Sequence, residues 1–372
     1  MIEKRQKHKF SVFSYIGLLL GLVTVIVHIL SQLICTDCFY GFYEKVIFPS
    51  IRLLYDYTVG YLPFPFVYVV FCYLIFLIYK SFQRFVRSEQ TKLHKLKDLG
   101  LGFMNFIGWV VFLFYFTWGF NYYQPSIEKQ LGLPEITIDS ADVVTELAEI
   151  TLLLNEARDI ISVDTSRLEM NLNWVNIERD IRDKQEEMIS TWCKPTKGRV
   201  RIRALKPKGL LLRFSTAGIY IPFAFEGHVD PGMNEIQWPF TMAHEMAHGY
   251  GYTDEGACNF IGLLTCMRSD VPEIRYSGLM GYWRYLFFDM RNRYPDVAKQ
   301  TYDTLNVGVK NDLKAIRENL NKYPDLMPVV RDKIYDSYLK SHGVRSGLQS
   351  YNEITMQVLR WKKSKHAFNF RK

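Results

Sequence analysis

Three long stretches without a single Asp, Glu, Lys or Arg lie in the first 120 residues, and they constrain the fold more than any other feature. They run from about Phe10 to Leu33, from about Tyr61 to Tyr79 and from about Leu101 to Phe120. Each is close to the ~20 residues a helix needs to cross a bilayer. A buried core helix could explain one such run. Three in succession predict three membrane crossings over residues 10–33, 61–79 and 101–120. The chain as a whole is 48% hydrophobic, so the signal lies in placement and not in composition.

Flanking charge predicts the orientation. Lys4, Arg5, Lys7 and Lys9 precede the first run, and Lys80, Arg84, Arg87, Lys92, Lys95 and Lys97 follow the second. The connection over about 34–60 has only Lys45 and Arg52, against Asp37, Glu44 and Asp56. The excess of positive charge on cytoplasmic loops puts the N-terminus inside and everything after Phe120 outside. Trp118, Phe120, Tyr122 and Tyr123 suit an interfacial aromatic belt at that exit. The first run is too long for a signal-peptide core and lacks a small-x-small site after it, so it reads as an uncleaved anchor. The lipid bilayer is thus the first expected partner.

Much of the net charge of +8 sits in the cytoplasmic connections and in the tail Arg360, Lys362, Lys363, Lys365, Arg371 and Lys372. Topology and a solvated tail account for it. No nucleic-acid motif is present, and nucleic acid is not expected as a partner. Cys35 and Cys38 form a C-x-x-C on the first outer loop, where a disulfide and two free thiols are both open. Cys258 and Cys266 share a predicted helix about 12 Å apart and cannot bridge each other.

About 250 residues follow the third run, enough for one sizeable core. Val143, Leu147, Ile150, Leu154, Ala157 and Ile161 recur at helical steps and predict core-facing helix within 138–192. Val200, Ile202 and Ala204 alternate with Arg199, Arg201 and Arg203, a strand pattern. Residues 219–225 form a second strand candidate, and Pro222 argues for an edge position there. Residues 272–360 read as helical again.

His244-Glu245-Met246-Ala247-His248 reads H-E-x-x-H. On a helix, two imidazoles four residues apart share one face and can hold one zinc ion. The intervening glutamate is placed to act as general base on water. Gly249 and Gly251 end that helix, and Thr253-Asp254 look like the start of the next. On one straight helix Glu255 would lie about 10 Å beyond His248, too far for the same ion, but a glycine turn can fold it back to become the third ligand. Asp254, Glu273 and His228 are its rivals. Asn259, one turn after Glu255, is placed to support a ligand. His228, Tyr276, Tyr282 and Arg275 are the candidates for a donor to a developing oxyanion.

Several separated motifs resemble a known family. They include Trp118-Gly119, Asn121-Tyr122-Tyr123, Gly218-Ile219-Tyr220-Ile221-Pro222-Phe223 and Pro239-Phe240-Thr241. The H-E-x-x-H run, Glu255-Gly256-Ala257-Cys258-Asn259-Phe260-Ile261 and Arg275-Tyr276-Ser277-Gly278 continue the series, with Tyr335–Lys340 and Ser350-Tyr351 near the end. The chain resembles an uncharacterised family of bacterial three-pass membrane proteins of the zincin-like, glutamate-ligand metallopeptidase type. The resemblance implies His244, His248 and Glu255 as zinc ligands and Glu245 as the catalytic base. It departs at Asn259, where such enzymes often carry Asp.

The expected fold is therefore a three-crossing helical membrane part over 1–120, followed by an α+β zincin-like domain over 121–372. That domain is expected to be mainly helical with a small sheet before the metal helix. The expected function is membrane-anchored zinc-dependent peptide hydrolysis on the outer side of the bacterial inner membrane, with a peptide or protein substrate. The alternative is a non-catalytic zinc-binding sensor or scaffold.

Overall fold

The computed structural model describes residues 15–192, 194–326 and 353–371. Tyr335–Lys340 and Ser350-Tyr351, and the beginning of the first apolar run, lie outside the described residues. Two compact units emerge. One takes residues up to Ile51, Phe66–Tyr123 and Pro222–Ala224; the other takes Arg52–Pro65, Gln124–Ile221 and Phe225 onward.

The first unit is helical. Helix α1 spans Ile16–Ile34, α2 Thr36–Phe42, α4 Val67–Arg87 and α5 Lys92–Thr117, while α3 Phe48–Asp56 starts in this unit and ends in the other. Helices α1, α4 and α5 are long and apolar enough to cross a membrane. Helix α5 begins nine residues before the predicted run because Lys92, Lys95 and Lys97 extend it as a polar first turn and a half. Hydropathy marks where the apolar part starts, not where the helix does. α1 packs on α5 through small residues. A Cβ on Gly21 would stand 2.6 Å from Gly108 Cα, so the two backbones touch. Close approach of this kind is how helices associate where burial of apolar surface gives no advantage. Asn105 Oδ1 accepts from the Leu18 N–H at 3.1 Å, satisfying one donor that the α1 N-terminus leaves open. Cys35 and Cys38 are joined by a disulfide.

The second unit is helical with one small sheet. Its elements after α5 are α6 Ile127–Leu131, α7 Ser140–Ile161, α8 Trp174–Ser190, β1 Arg201–Ala204, β2 Gly218–Ile221 and β3 Glu226–Val229. Then come α9 Trp238–Gly249, α10 Glu255–Arg268, α11 Pro272–Arg293, α12 Pro295–Asp303, α13 Val307–Leu320 and α14 Ile354–Lys362. The predicted helical stretch 138–192 is two helices with an extended link. Asp139 and Asp142 form a capping box at α7, and Asn173 caps α8.

The strand order is β1-β3-β2, with β3 parallel to β1 and antiparallel to β2. β2 is an edge strand and Pro222 follows its last residue, in line with the edge position that proline requires. The predicted strand over 219–225 stops at Ile221, and the chain turns back at once into β3. β3 is fully buried, and a four-residue segment with two charged or titratable side chains carries no apolar alternation to announce it.

The two faces of the sheet differ. Ile202, Gly227 and Tyr220 share a register position and face α9. Arg203, His228 and Ile219 share the next and point the other way. That second face is closed by the segment 52–65, which the sequence reading had placed with the membrane part. Arg203 donates to Gly60 O at 2.9 Å and Leu62 O at 2.8 Å and pairs with Glu226 at 2.9 Å. Arg52 donates to Lys197 O at 2.5 Å, and Asp56 Oδ2 accepts from the Arg199 N–H at 2.7 Å. Arg52–Pro65 accordingly cluster with the second unit. Buried charges on the sheet need oxygen partners, and the backbone of 52–65 supplies them.

Candidate metal centre

Helix α9 is positioned by its own sequence. Pro239 occupies its first turn, where the missing N–H is not needed. Every residue from Met242 to Gly249 is buried between the sheet and helices α8, α10 and α11. The helix ends at Gly249, and Gly251 has φ +92°, which a side chain would resist. The chain then reverses. Asp254 caps α10 by accepting from the Ala257 N–H at 2.7 Å. Helix α10 returns along α9, so that Glu255 comes level with the two histidines.

His244, His248 and Glu255 offer ligand atoms that all lie within 4.8 Å of one another. Glu255 Oε2 is 3.1 Å from His244 Nε2 and 3.5 Å from His248 Nε2. The other ring nitrogens are tied back. His244 Nδ1 meets Asn259 Oδ1 at 2.8 Å, and His248 Nδ1 meets the Tyr252 carbonyl oxygen at 2.8 Å. Both oxygens only accept, so both Nδ1 atoms carry hydrogen. A neutral ring with its hydrogen on Nδ1 turns the Nε2 lone pair to a metal, and both Nε2 atoms lie beside Glu255 Oε2. Ligands 2.0–2.1 Å from a tetrahedral zinc are about 3.3 Å apart. The two histidine–glutamate spacings bracket that value, and two imidazoles with one carboxylate are donors that zinc takes.

Glu245 is buried beside this cluster, and its Oε2 has no hydrogen-bond partner among the described residues. Burial pushes its carboxyl up to about 7, against the attraction of His244 and His248. Burial also disfavours charge on Glu255 and His248, yet their attraction prevails. Glu255 is held well below the usual carboxylate range and His248 well above the usual imidazole range. The Cys258 thiol, 3.4 Å from His248 Nδ1, is pushed up to about 11 by burial and stays neutral, leaving Glu255 as the source of that attraction.

Two glycines make the space for Glu245. A Cβ on Gly218 would stand 2.5 Å from Glu245 Oε1, and one on Gly227 would stand 3.0 Å from Glu245 Cβ. Edge strand β2 thus runs beside the site, with Gly218 against Glu245 and the Tyr220 ring 6.3 Å from that of His248.

The remaining candidates fall elsewhere. His228 is on the far face of the sheet, its Nε2 3.6 Å from Glu226 Oε2. It is not brought to the cluster, because strand alternation turns it away from α9. Tyr276 donates to Asp312 Oδ2 at 2.7 Å, the same oxygen that holds Arg158. Arg275 donates to Met267 O and Phe370 O. Tyr282 is fully buried, with its hydroxyl proton held by burial and the neighbouring Glu146. Asp254 serves as a helix cap and Glu273 sits in the first turn of α11. Tyr285, which the sequence reading had not singled out, donates to Asn259 Oδ1 at 3.3 Å. Its signal was the aromatic run on α11, which periodicity alone could not orient.

A family model described as "Protein of unknown function (DUF3810)" matches residues 43–359. The chain belongs to the DUF3810 family. The match spans residues of both units of this DUF3810 protein, including the helices α4 and α5 and all of His244, His248 and Glu255. No curated protein and no solved structure matches it.

Proposed function

We propose that this DUF3810 protein is a membrane-anchored, zincin-like zinc metallopeptidase. One observation carries the reading: His244, His248 and Glu255 converge within 4.8 Å with both histidine Nδ1 atoms already engaged. Zinc in such a site acts as a Lewis acid and makes water a nucleophile near neutral pH.

The chain's own residues do the rest. Glu245 Oε2 is the proton acceptor, and a carboxyl tuned to about 7 can both take a proton from water and return it to a leaving amine. Asn259 and the Tyr252 carbonyl hold the imidazoles in the ligand tautomer. β2 stands at the edge of the sheet beside Glu245, and an extended peptide can add to such an edge as a further strand.

The proposed orientation has the N-terminus in the cytoplasm and the metal centre outside the bacterial inner membrane. Segment 52–65 and the metal helix belong to one unit. They must share a side of the membrane, which requires an even number of crossings between them. Helices α4 and α5 supply two.

The test uses the full chain in detergent. About one zinc per chain is expected in wild type, lost in His248→Ala and kept in Glu245→Gln. Hydrolysis of a peptide pool is expected in wild type and should drop by about 10²–10⁴ in Glu245→Gln. Full activity in that variant would sink the mechanism. Zinc binding without any hydrolysis by wild type would move the assignment to a non-catalytic zinc sensor or scaffold.

A further inference from the structure

Arg284 lies on α11 next to Tyr285 and one turn beyond Gly281. Both neighbours face the metal helix. A Cβ on Gly281 would stand 2.7 Å from the Phe240 ring, and the Tyr285 ring centroid is 6.4 Å from that of Phe240. Tyr285 also reaches the Asn259 oxygen that engages His244. Residues three and four apart on a helix share a face. Arg284, one turn after Gly281, therefore lies beside the stripe of α11 that faces α9, with exposed Phe288 one turn further on.

The guanidinium there lacks what its counterparts have. Arg201, Arg275 and Arg284 are each penalised by burial, which lowers their tendency to hold a proton. Arg201 pairs with Glu178 at 3.2 Å, and Arg275 donates to two backbone carbonyls. The buried Arg158, Arg182 and Arg203 pair with Asp312, Glu178 and Glu226. Arg284 has no carboxylate and no hydrogen-bond acceptor among the described residues, and Tyr285 is the one group acting on its charge. It remains half-buried and open to solvent on one side. A partly desolvated charge without a partner is a standing cost, and it is met when a bound ligand supplies the counter-charge. The planar fork of five donors matches a carboxylate in two parallel hydrogen bonds.

We propose that Arg284 is a specificity-determining residue that pairs with a carboxylate of the peptide substrate. The proposal deepens the peptidase reading and rests on it. The carboxylate is either the free C-terminus of a short peptide or the side chain of an Asp or Glu, and the two give different retention patterns.

The probe is three pools of N-acetylated random pentapeptides. One has free C-terminal acids without Asp or Glu, one has C-terminal amides without Asp or Glu, and one has amides with a single Asp or Glu. They are equilibrated together with immobilised full-length Glu245→Gln protein loaded with zinc, and the retained peptides are counted by mass spectrometry. A charge-assisted bond should enrich one acidic pool over the neutral amides by about tenfold to a hundredfold. Adding Arg284→Gln should bring that ratio to about one. Adding Arg284→Lys should leave an intermediate ratio, because it keeps the charge and loses the fork. Enrichment of the terminal acids assigns the C-terminus, and enrichment of the Asp or Glu amides assigns the side chain. No enrichment of either acidic pool, no retention of any pool, or an unchanged ratio in both Arg284 variants overturns the proposal. Zinc content and hydrolysis by the chain with Glu245 intact report separately on the peptidase reading, so either can fail without the other.

Discussion

At His244 the outcome turns on one hydrogen bond. Asn259 Oδ1 accepts from Nδ1 and thereby presents Nε2 to the ligand cluster. Removing that partner frees the ring to rotate and to change tautomer. Asn259→Ala is therefore expected to weaken zinc binding about 10–100-fold, while Asn259→Asp restores most of it. Competition titration with a zinc chelator reads both, and unchanged affinity in the alanine variant would remove Asn259 from the site. The pairing of His244 with His248 was legible from spacing alone, because a helix has one geometry. Asn259 was legible for the same reason, one turn from Glu255. The Tyr252 carbonyl was not, since any residue has one and only the reversal after Gly249 aims it at His248. His228 read as well as any other histidine, and the strand's alternation turned it to the far face.

At the scale of elements, the contact between β2 and α9 decides whether Glu245 has room. Gly218 lies against Glu245 Oε1, where a methyl group would stand 2.5 Å away. Gly218→Ala must displace either the edge strand or the carboxylate. Overpacking of this kind costs about 1–3 kcal/mol. The expected result is a strong loss of hydrolysis with zinc content retained, since the three atoms nearest to the added methyl group all belong to Glu245. Equal loss of zinc and of the folded state would instead mark Gly218 as a packing residue only. The edge strand itself was readable from Pro222, but its partner β3 was not. Glu226, Gly227, His228 and Val229 show no alternation of apolar and polar residues, because this strand is buried on both faces and its charges are matched by neighbours.

On the scale of the whole molecule, the segment 52–65 between the apolar helices α1 and α4 is part of the unit that holds α9. Its Asp56 is buried, and burial raises its carboxyl to about 6 despite the Arg199 N–H and the nearby Arg52. The folded state therefore binds this proton more tightly than the unfolded chain. Asp56 contributes stability below about pH 4, and this is lost as pH rises through about 6, a change on the order of 3 kcal/mol. Thermal unfolding of the full chain between pH 4 and 7 should show that decline, and Asp56→Asn should flatten it. An identical pH profile in the variant would mean that another group is responsible.

The sequence by itself determined the three apolar helices, the H-E-x-x-H face and the turn that follows it. Each of these depends on residues near one another in the chain, where helix geometry, glycine and hydropathy act locally. Only the tertiary structure decided that Glu255 returns to the histidines, that His228 faces away, and that 52–65 closes the second face of the sheet. Those outcomes depend on buried groups finding partners far along the chain. Arg203 meets the carbonyls of Gly60 and Leu62 across more than 140 positions. Local periodicity carries no record of such pairings, because the requirement is met wherever a folded chain happens to bring an oxygen.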